Sequence, residues 1–372
     1  MKVCFLITGL NTGGAEMVIY RLLKEYKTDK EKDSFDFTVI SIVPPEDIGD
    51  KIKNLDIEVK SLEAKSKLNP LIAWRLYTLL KEEKPDILHT FLFHANVLGR
   101  IIGKLAGVPK IISAIRNEYF GSKMREKLVK LTKSLCDYTT VVSQYTADKM
   151  AERGVIAEDS YKVITNGVNI KELKEEDKKE KVEIRKALNL DDKYPIIIGV
   201  GSLTEQKGFS YLIKAVKTLS EKYERIFLMI LGSGPKETEL NKLINELSLK
   251  DQVNLVGEKD NVKDYLQLAD IFVLSSLWEG MPNVLLEAQA VGLPSVATQV
   301  SGVSEIIDDG KNGTMVEPKR KEALVDGIEK TLDQTDKQKE QMRRTAKEKI
   351  KQEFSIESMT KKYINLYKKL MD

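Results

Sequence analysis

Short apolar runs alternate with stretches of helical periodicity along the chain. Lys2–Thr8 is the first run, and apolar residues at helical spacing follow it between positions 15 and 26. The remaining runs are Phe37–Ile42, Ile87–Thr90, Lys110–Ala114, Thr139–Ser143, 195–201, Phe227–Leu231, Val253–Val256, Ile271–Ser275 and Ser295–Thr298. Strands that alternate with helices in this way predict parallel sheets in doubly wound α/β domains.

A charged stretch divides this pattern into two halves. Residues 171–186 are dense in Lys and Glu and poor in apolar residues, which indicates an exposed linker or surface helix. We predict one α/β domain over residues 1–169, a second over 170–353, and a C-terminal helix over 354–372 with one apolar face that requires burial. Because such sheets bind ligands at the carboxyl ends of their strands, we expect the site in a cleft between the domains.

Composition excludes several classes of protein. Lys and Arg number 60 against 57 Asp and Glu, and this near balance argues against a nucleic-acid partner. Two cysteines imply no disulfide framework, so we expect a reducing, cytoplasmic setting. The first apolar run is too short for a signal peptide, and no run of about 20 apolar residues predicts a membrane-spanning helix.

Two glutamates eight positions apart flank the junction between the predicted strand Ile271–Ser275 and the helix after it. Glu279 falls in the loop and Glu287 about one turn into the helix, with Pro282 and Asn283 suited to the helix start. A carboxylate can accept two hydrogen bonds from a vicinal diol, and the first N–H groups of a helix favour phosphate or sugar oxygens. The alternative is a solvated loop glutamate and a glutamate that only favours the helix dipole.

Glycine turns follow the first strand of each predicted domain. Gly13 and Gly14 precede a helix in the first domain, and Lys207 precedes Gly208 in the second. Glycine lets the backbone approach a phosphate closely, and Lys207 can bring an ammonium to a diphosphate leaving group. Packing alone also produces such turns, and Lys207 has the alternative of an ordinary exposed lysine.

No metal site is expected from the sequence. The chain has no Asp-x-Asp segment and no Cys/His cluster with the spacing of a zinc site. Lys207 and helix dipoles would then carry the charge of the leaving group.

The Glu-x7-Glu pair, with Gly14, Lys207 and Asn166-Gly167, resembles family 4 of the retaining glycosyltransferases, of the bacterial and archaeal surface-polysaccharide type. The resemblance covers nearly the whole chain and implies the GT-B fold, in which two Rossmann-like domains, here 1–169 and 170–353, face each other across a cleft. It also implies that the last helix, 354–372, crosses back to the first domain. It implies metal-independent, retaining transfer of a hexose or N-acetylhexosamine from a nucleotide-diphosphate sugar, UDP rather than GDP or ADP. The acceptor would be a glycan or a lipid-linked molecule, and no cofactor is implied.

The resemblance also assigns roles to residues. Glu287 would hold the donor ribose, and Glu279 would lie near the donor sugar. The residues expected at the reaction are Glu279, Lys207, Arg116 and His94. Those expected to bind the donor are Gly13, Gly14, Ser202, Lys207, Gly232, Gly257, Glu258, Lys259, Glu279, Gly280, Met281, Pro282, Asn283, Val284 and Glu287.

The chain departs from the family pattern at two positions. The family usually has an arginine where this chain has Ser202, which removes one cation. Many relatives have a histidine at the strand end that here holds Arg116, so Arg116 either replaces the missing cation or forms a surface salt bridge. His89 and His94 match a His-rich stretch of the family; we expect His89 to be structural and leave the role of His94 open.

Basic residues concentrate between positions 100 and 133, where nine Lys or Arg accompany two acids. Met124, Leu128, Leu131 and Leu135 share one stripe of the predicted helix there. A basic amphipathic helix can lie on an anionic membrane, and we expect peripheral attachment to the inner face through the first domain. The alternative is a helix packed on the core with a solvated face.

Two other functions fit parts of the sequence. A nucleotide-sugar epimerase could share the fold, although the Glu-x7-Glu spacing suits it less well. A non-catalytic GT-B subunit would explain Ser202, but both Glu279 and Glu287 are retained. An NAD enzyme is disfavoured because no full Gly-x-Gly-x-x-Gly run with a following acid is present.

Overall fold

The computed structural model describes residues 1–11, 13–28, 35–64, 71–157, 159–173, 178–187 and 189–371. The chain forms two compact units, Met1–Gly167 with Ile356–Asp372, and Val168–Ser355. The boundaries expected from the sequence, after 169 and after 353, each fall two residues from these. Residues 174–177 of the predicted linker lie outside the described residues.

The first unit contains a seven-stranded parallel sheet. Its strands are β1 (Lys2–Ile7), β2 (Asp36–Ser41), β3 (Glu58–Ser61), β4 (Ile87–Phe91), β5 (Lys110–Ile115), β6 (Tyr138–Val141) and β7 (Tyr161–Val163). Its helices are α1 (Gly14–Thr28), α2 (Asp47–Lys53), α3 (Leu71–Glu83), α4 (Phe93–Ala106), α5 (Lys123–Leu131) and α6 (Gln144–Glu152). The strand order is β3-β2-β1-β4-β5-β6-β7, so the direction of winding reverses between β1 and β4.

The second unit contains a six-stranded parallel sheet. It begins with helix α7 (Lys178–Ala187), and its strands are β8 (Ile196–Val200), β9 (Phe227–Leu231), β10 (Val253–Gly257), β11 (Ile271–Leu274), β12 (Ser295–Thr298) and β13 (Thr314–Val316). Its other helices are α8 (Phe209–Leu219), α9 (Glu237–Glu246), α10 (Val262–Leu268), α11 (Asn283–Val291), α12 (Val303–Ile306), α13 (Lys321–Leu332) and α14 (Asp336–Glu353). The order β10-β9-β8-β11-β12-β13 places the reversal between β8 and β11.

The sequence predicted the buried central strands within one or two residues but missed three short strands. β3, β7 and β13 lie at sheet edges and are mostly half-buried or exposed. A central strand of a parallel sheet is covered on both faces and therefore reads as an apolar run. An edge strand of three or four residues lacks that signal.

The two faces of the first sheet are covered by different helices. Phe5 and Ile7 of β1 belong to a core with α1, α2 and a last helix, α15 (Ile356–Met371). Cys4 and Leu6, which alternate with them, pack with α3 and α4. This alternation follows from the two-residue period of a strand. Through α15 the end of the chain completes the core of the first unit.

A buried polar pair joins α15 to the first sheet. His89 on β4 is fully buried, and its Nδ1 lies 2.9 Å from the Tyr367 hydroxyl while its Nε2 lies 3.2 Å from Thr140 Oγ1. Burial, with a smaller contribution from the positive charge of Arg116, lowers the pKa of His89 to about 3. The structural role expected for His89 agrees with this geometry.

We predict that His89 stays neutral well below pH 6. An unfolded histidine takes up a proton near pH 6.5, whereas folded His89 does so only near pH 3. Stability should therefore fall as pH drops from 6.5 towards 3, by up to about 1.4 kcal/mol per pH unit. The chain has two histidines, so NMR of the His94→Gln variant isolates His89. A ring signal that titrates near pH 6.5 in that variant would contradict the burial.

Candidate functional site

Two neighbouring strands of the second unit bring Lys207 and Glu279 together. β8 and β11 are hydrogen-bonded partners in the sheet, and both point the same way. The loop after β8 leads to Lys207, and the loop after β11 leads to Glu279. Because the carboxyl ends of parallel strands share one edge, two residues 72 positions apart in sequence meet at the point where the winding reverses.

Lys207 is held in place by the loop after β11. It ends a 3-10 turn, Glu205–Lys207, and Gly208 follows in the left-handed region with φ of +61°. A Cβ at Gly208 would lie 2.2 Å from the carbonyl oxygen of Ser275, so only glycine permits this approach. Ser275 Oγ in turn donates to the Lys207 carbonyl at 2.8 Å.

The Glu279 carboxylate is buried and fully engaged. Lys207 Nζ lies 2.6 Å from Oε1, and Ser276 Oγ donates to the same oxygen at 2.7 Å. Gln206 Nε2 donates to Oε2 at 3.4 Å and to the Trp278 carbonyl at 3.0 Å. The side chains of Lys207 and Glu279 are 16% and 7% exposed, so the alternatives of a solvated glutamate and an ordinary exposed lysine are wrong.

Helix α11 begins directly after Glu279. The structure has Pro282 at the cap position and Asn283 as the first helical residue, so both lie at the helix start as expected. The Pro282 side chain forms no cap hydrogen bond. Glu287 lies in the second turn and is half-buried, and Gly280, Met281 and Pro282 are buried.

Further loops of the second unit enclose the same edge. The Thr298 hydroxyl, at the end of β12, donates to the Ser276 carbonyl at 2.6 Å and so fixes the start of the Glu279 loop. Gly232, after β9, has φ of +136°, and a Cβ there would lie 2.1 Å from the carbonyl oxygen of Gly201. Glycine at this position therefore lets the loops after β8 and β9 pack backbone against backbone.

The remaining predicted donor residues of the second unit lie near these loops or at the surface. Ser233 Oγ donates to Glu258 Oε2 at 3.1 Å, and Gly232 N–H donates to the Gly257 carbonyl at 2.9 Å. Glu258 and Ser202 are exposed, whereas Lys259 and Val284 are half-buried.

The Glu16 carboxylate lies against the glycine turn of the first unit. A Cβ at Gly13 would lie 2.4 Å from Glu16 Oε2, so the Glu16 side chain folds back over the start of α1. Burial raises the pKa of Glu16, and hydrogen bonds from the N–H groups of Glu16 and Ala15 partly oppose the rise. An anion approaching Gly13 and Gly14 would compete with this carboxylate for the same N–H groups.

Arg116 follows β5 in the first unit and is half-buried. Its guanidinium donates to the Asn166 side chain, and among the described residues it forms no ion pair, which removes the surface salt bridge as an explanation. Burial lowers the pKa of Arg116. His94 lies in the first turn of α4 and is half-buried beside Phe93. Arg116, His94, Gly13 and Gly14 thus belong to the first unit and the other predicted site residues to the second.

Sequence reasoning missed the two neutral residues that hold Glu279. Gln206 precedes Lys207, and Ser276 lies three residues before Glu279. Their proximity in sequence to the two charged residues was the available signal. Within the described ranges no group of three or more His, Cys, Asp or Glu could hold a metal ion.

Family comparisons match both units. A model described as "Glycosyl transferases group 1" matches residues 180–349, and one described as "Glycosyltransferase Family 4" matches residues 12–172. A UDP-Gal:alpha-D-GlcNAc-diphosphoundecaprenol alpha-1,3-galactosyltransferase of Escherichia coli is 30% identical over 308 residues, 78% of this chain and 77% of that protein. An uncharacterised glycosyltransferase of Methanocaldococcus jannaschii is 30% identical over 282 residues, 75% of this chain and 68% of that protein.

Solved structures with the same fold cover nearly the whole chain. HepE of Anabaena, crystallised with UDP and with UDP-glucose, matches with a TM-score of 0.86 at 19% identity, over 99% of this chain and 100% of that one. A glycosyltransferase of Rickettsia africae matches with a TM-score of 0.82 at 19% identity, over 100% of this chain and 98% of that one. At this level of identity the likeness establishes the fold.

We predict strong coupling between Lys207 and Glu279 in stability. Lys207→Met leaves a buried carboxylate without its cation and should cost about 3–5 kcal/mol. In the double variant Lys207→Met/Glu279→Gln we expect the loss of unfolding free energy to be at least about 1 kcal/mol smaller than the sum of the losses in the two single variants. This double-mutant cycle is measured by denaturant unfolding in a Trp74→Phe background, in which the fluorescence of Trp278 reports on the second unit.

The exposed pair Lys222–Glu329 is the matched control. Its nitrogen and oxygen lie 3.1 Å apart, but the side chains are 54% and 31% exposed. In the same double-mutant cycle with Lys222→Met and Glu329→Gln, the coupling energy should be less than about 1 kcal/mol. Equal coupling in both cycles would show that burial adds nothing to the Lys207–Glu279 pair.

Proposed function

Because this chain belongs to glycosyltransferase family 4 and has two Rossmann-like units of the GT-B fold, we propose that it transfers a hexose or N-acetylhexosamine from a UDP-sugar with retention and without a metal ion. The chain is a glycosyltransferase; the sugar, the stereochemistry and the metal independence are the proposal. The observation that carries the proposal is the buried Lys207–Glu279 pair at the winding reversal of the second sheet. The resemblance to HepE, solved with UDP and UDP-glucose, supports UDP as the nucleotide.

Lys207 is proposed to stabilise the leaving group. As the bond to the anomeric carbon breaks, negative charge develops on the diphosphate, and a preorganised ammonium lowers the energy of that state. The turn at Gly208 fixes the Lys207 backbone before any donor binds, and Glu279 holds its ammonium at this edge of the sheet until a diphosphate competes for it. A lysine acts here as a mobile point charge, so it can turn from the carboxylate to the phosphate without losing its backbone anchor.

The two glutamates are proposed to bind the sugars of the donor. Glu287, half-buried on α11, would accept hydrogen bonds from the ribose hydroxyls, and Glu279 would accept them from the transferred sugar. Ser276 and Gln206 keep the Glu279 carboxylate in place when Lys207 contacts the phosphate. The start of α11 adds the positive end of a helix dipole beside the same loop.

A front-side mechanism is proposed for retention. A double displacement needs a carboxylate placed as nucleophile, and no carboxylate of the site singles itself out for that role. Glu279 accepts hydrogen bonds from Lys207, Ser276 and Gln206, which makes it a weak nucleophile. The acceptor would therefore attack on the face from which the UDP departs.

The acceptor is proposed to be a glycan or a lipid-linked molecule. The Escherichia coli relative is named for a diphosphoundecaprenol acceptor, which supports the lipid-linked class. We propose that the enzyme works in the cytoplasm at the inner face of the membrane. None of the helices within the described residues is long and apolar enough to cross a bilayer.

The donor is tested with a panel of UDP-, GDP- and ADP-sugars, following release of the free nucleoside diphosphate. We expect turnover with a UDP-sugar and at least about tenfold weaker UDP binding in Glu287→Ala, because a charged hydrogen bond contributes about 1.5–3 kcal/mol. Calorimetry measures the binding, and Glu221→Ala, at an exposed position of the same unit, is the control. Unchanged UDP affinity in Glu287→Ala would remove Glu287 from the donor site.

Activity should persist in the presence of a chelator. Lys207 and the α11 helix dipole supply the positive charge that a divalent ion would otherwise provide. We expect equal rates of UDP release with and without EDTA, and a large loss in Lys207→Met under both conditions. Turnover that stops with EDTA and returns with Mg²⁺ or Mn²⁺ would refute metal independence.

A further inference from the structure

A groove on the first unit lies between α3 and the segment that follows β3. Its volume is about 390 Å³, within the range of about 300–1,000 Å³ that small-molecule sites occupy. β3 is the outermost strand of the sheet, two strands away from β1 and its glycine turn. The described side chains that line the groove include none of those assigned above to the donor or to the reaction. The groove is therefore a separate candidate site.

Trp74 is the largest side chain of the groove and is 65% exposed. Trp74, Thr78 and Glu82 follow one another at four-residue spacing, so they share one face of α3. The Thr78 hydroxyl donates to the Trp74 carbonyl at 3.1 Å, within the helix. The Tyr77 ring on the same helix already has Lys81 Nζ at 5.8 Å, whereas among the described residues the Trp74 indole has no ring or cation partner. A flat apolar face is therefore open to a ligand.

Charged side chains of both signs accompany the tryptophan. Glu63, Glu82 and Arg75 line the groove and are exposed, and among the described residues none of the three forms an ion pair. Arg75 Nη1 donates to the Leu62 carbonyl at 2.8 Å, which ties the segment after β3 to α3 and leaves other guanidinium N–H groups for a ligand. Glu63 has φ of +50°, and its N–H donates to Ser61 Oγ at 3.0 Å. The groove thus offers both acceptors and donors beside an apolar face.

The combination of groups favours a ligand rich in hydroxyls. A sugar ring has an apolar face of C–H groups and an edge of hydroxyls, and each hydroxyl both donates and accepts hydrogen bonds. The two carboxylates outnumber the single guanidinium, so an anionic ligand is disfavoured by charge. Within the part of the chain that the structure describes, no group of three or more His, Cys, Asp or Glu could hold a metal ion here.

We propose that this groove binds a neutral oligosaccharide, and that it holds the acceptor glycan at a distance from the bond that forms. One sugar ring stacks its C–H face on the Trp74 indole. Its hydroxyls donate to Glu63 and Glu82 and accept from Arg75. The segment after β3 and the glycine turn after β1 lie at the same edge of the sheet, about 10 Å apart at the spacing of neighbouring strands. A short chain of sugars spans that distance.

This inference rests on the proposed function, because it specifies the glycan part of the acceptor. Its test is separate. Binding of an oligosaccharide to the groove is measured without a nucleotide, and binding of UDP through Glu287 is measured without an oligosaccharide. Failure of the one measurement is therefore distinguished from failure of the other.

Tryptophan fluorescence of the full chain tests the stacking. Trp74 and Trp278 are the two tryptophans, so Trp278→Phe leaves Trp74 as the reporter. The probes are the neutral tetrasaccharides maltotetraose, β-1,4-galactotetraose and chitotetraose, each compared with its own monosaccharide. We expect at least one tetrasaccharide to change the Trp74 emission saturably, and its monosaccharide to bind at least about tenfold more weakly because it fills less of the groove. The affinity should not change with salt, because the ligand carries no charge.

Calorimetry with the same tetrasaccharide tests the individual side chains in the otherwise unchanged chain. We expect at least about tenfold weaker binding in Trp74→Ala, which loses the stacking surface, and weaker binding in Glu63→Gln/Glu82→Gln. Tyr77→Ala removes an aromatic ring from the same helix outside the groove, and it should bind as the wild type does. UDP affinity should be equal in the wild type and in Trp74→Ala.

Three results would overturn the proposal. The first is the absence of binding by all three tetrasaccharides, or equal affinity in the wild type and in Trp74→Ala. The second is binding that falls steeply with salt, which would indicate an ionic ligand. The third is Trp74 emission that changes with protein concentration and not with sugar, which would assign the groove to a second copy of the chain.

Discussion

The parallel direction of all strands is the constraint from which the candidate site follows. In each unit every strand ends at the same edge of its sheet, and the winding reverses once, between β1 and β4 or between β8 and β11. Loops on either side of a reversal run in opposite directions and leave an opening that other loops do not fill. In the second unit this opening receives Lys207 from one side and Glu279 from the other. The strand order therefore determines where the site lies, and the side chains then determine its chemistry.

Burial strengthens the attraction between Lys207 and Glu279, but it also removes both charges from water. A carboxylate and an ammonium removed from water are stable only when paired and hydrogen-bonded, and here Ser276, Gln206 and Lys207 all contact Glu279. The arrangement keeps a cation ready at the site without a donor. Ser202, in the loop between β8 and Lys207, is exposed and carries no charge. Arg116 belongs to the first unit, where its hydrogen bond goes to a neutral amide.

The central strands, the two units and the Lys207 and Glu279 positions could be predicted because each leaves a local signal. An apolar run, a glycine turn or a carboxylate at a strand end is visible within about ten residues of sequence. The contacts of Gln206 and Ser276 could not be predicted, because they depend on side-chain rotamers and on two loops far apart in the chain. The same holds for His89, whose partner Tyr367 lies 278 positions away. Edge strands such as β7 could not be predicted for a different reason, because half-exposed residues form no apolar run in the sequence.

A crystal structure of the protein with UDP and a non-transferable UDP-sugar tests the central claim most directly. The measured quantities are the distances from Lys207 Nζ to the diphosphate oxygens and from the Glu287 carboxylate to the ribose hydroxyls. We predict that Lys207 moves from Glu279 to hydrogen-bond distance of the diphosphate, about 2.7–2.9 Å, while Ser276 and Gln206 still hold Glu279. A nucleotide bound elsewhere, with the Lys207–Glu279 pair intact at 2.6 Å, would contradict the assignment of this pair to the donor site.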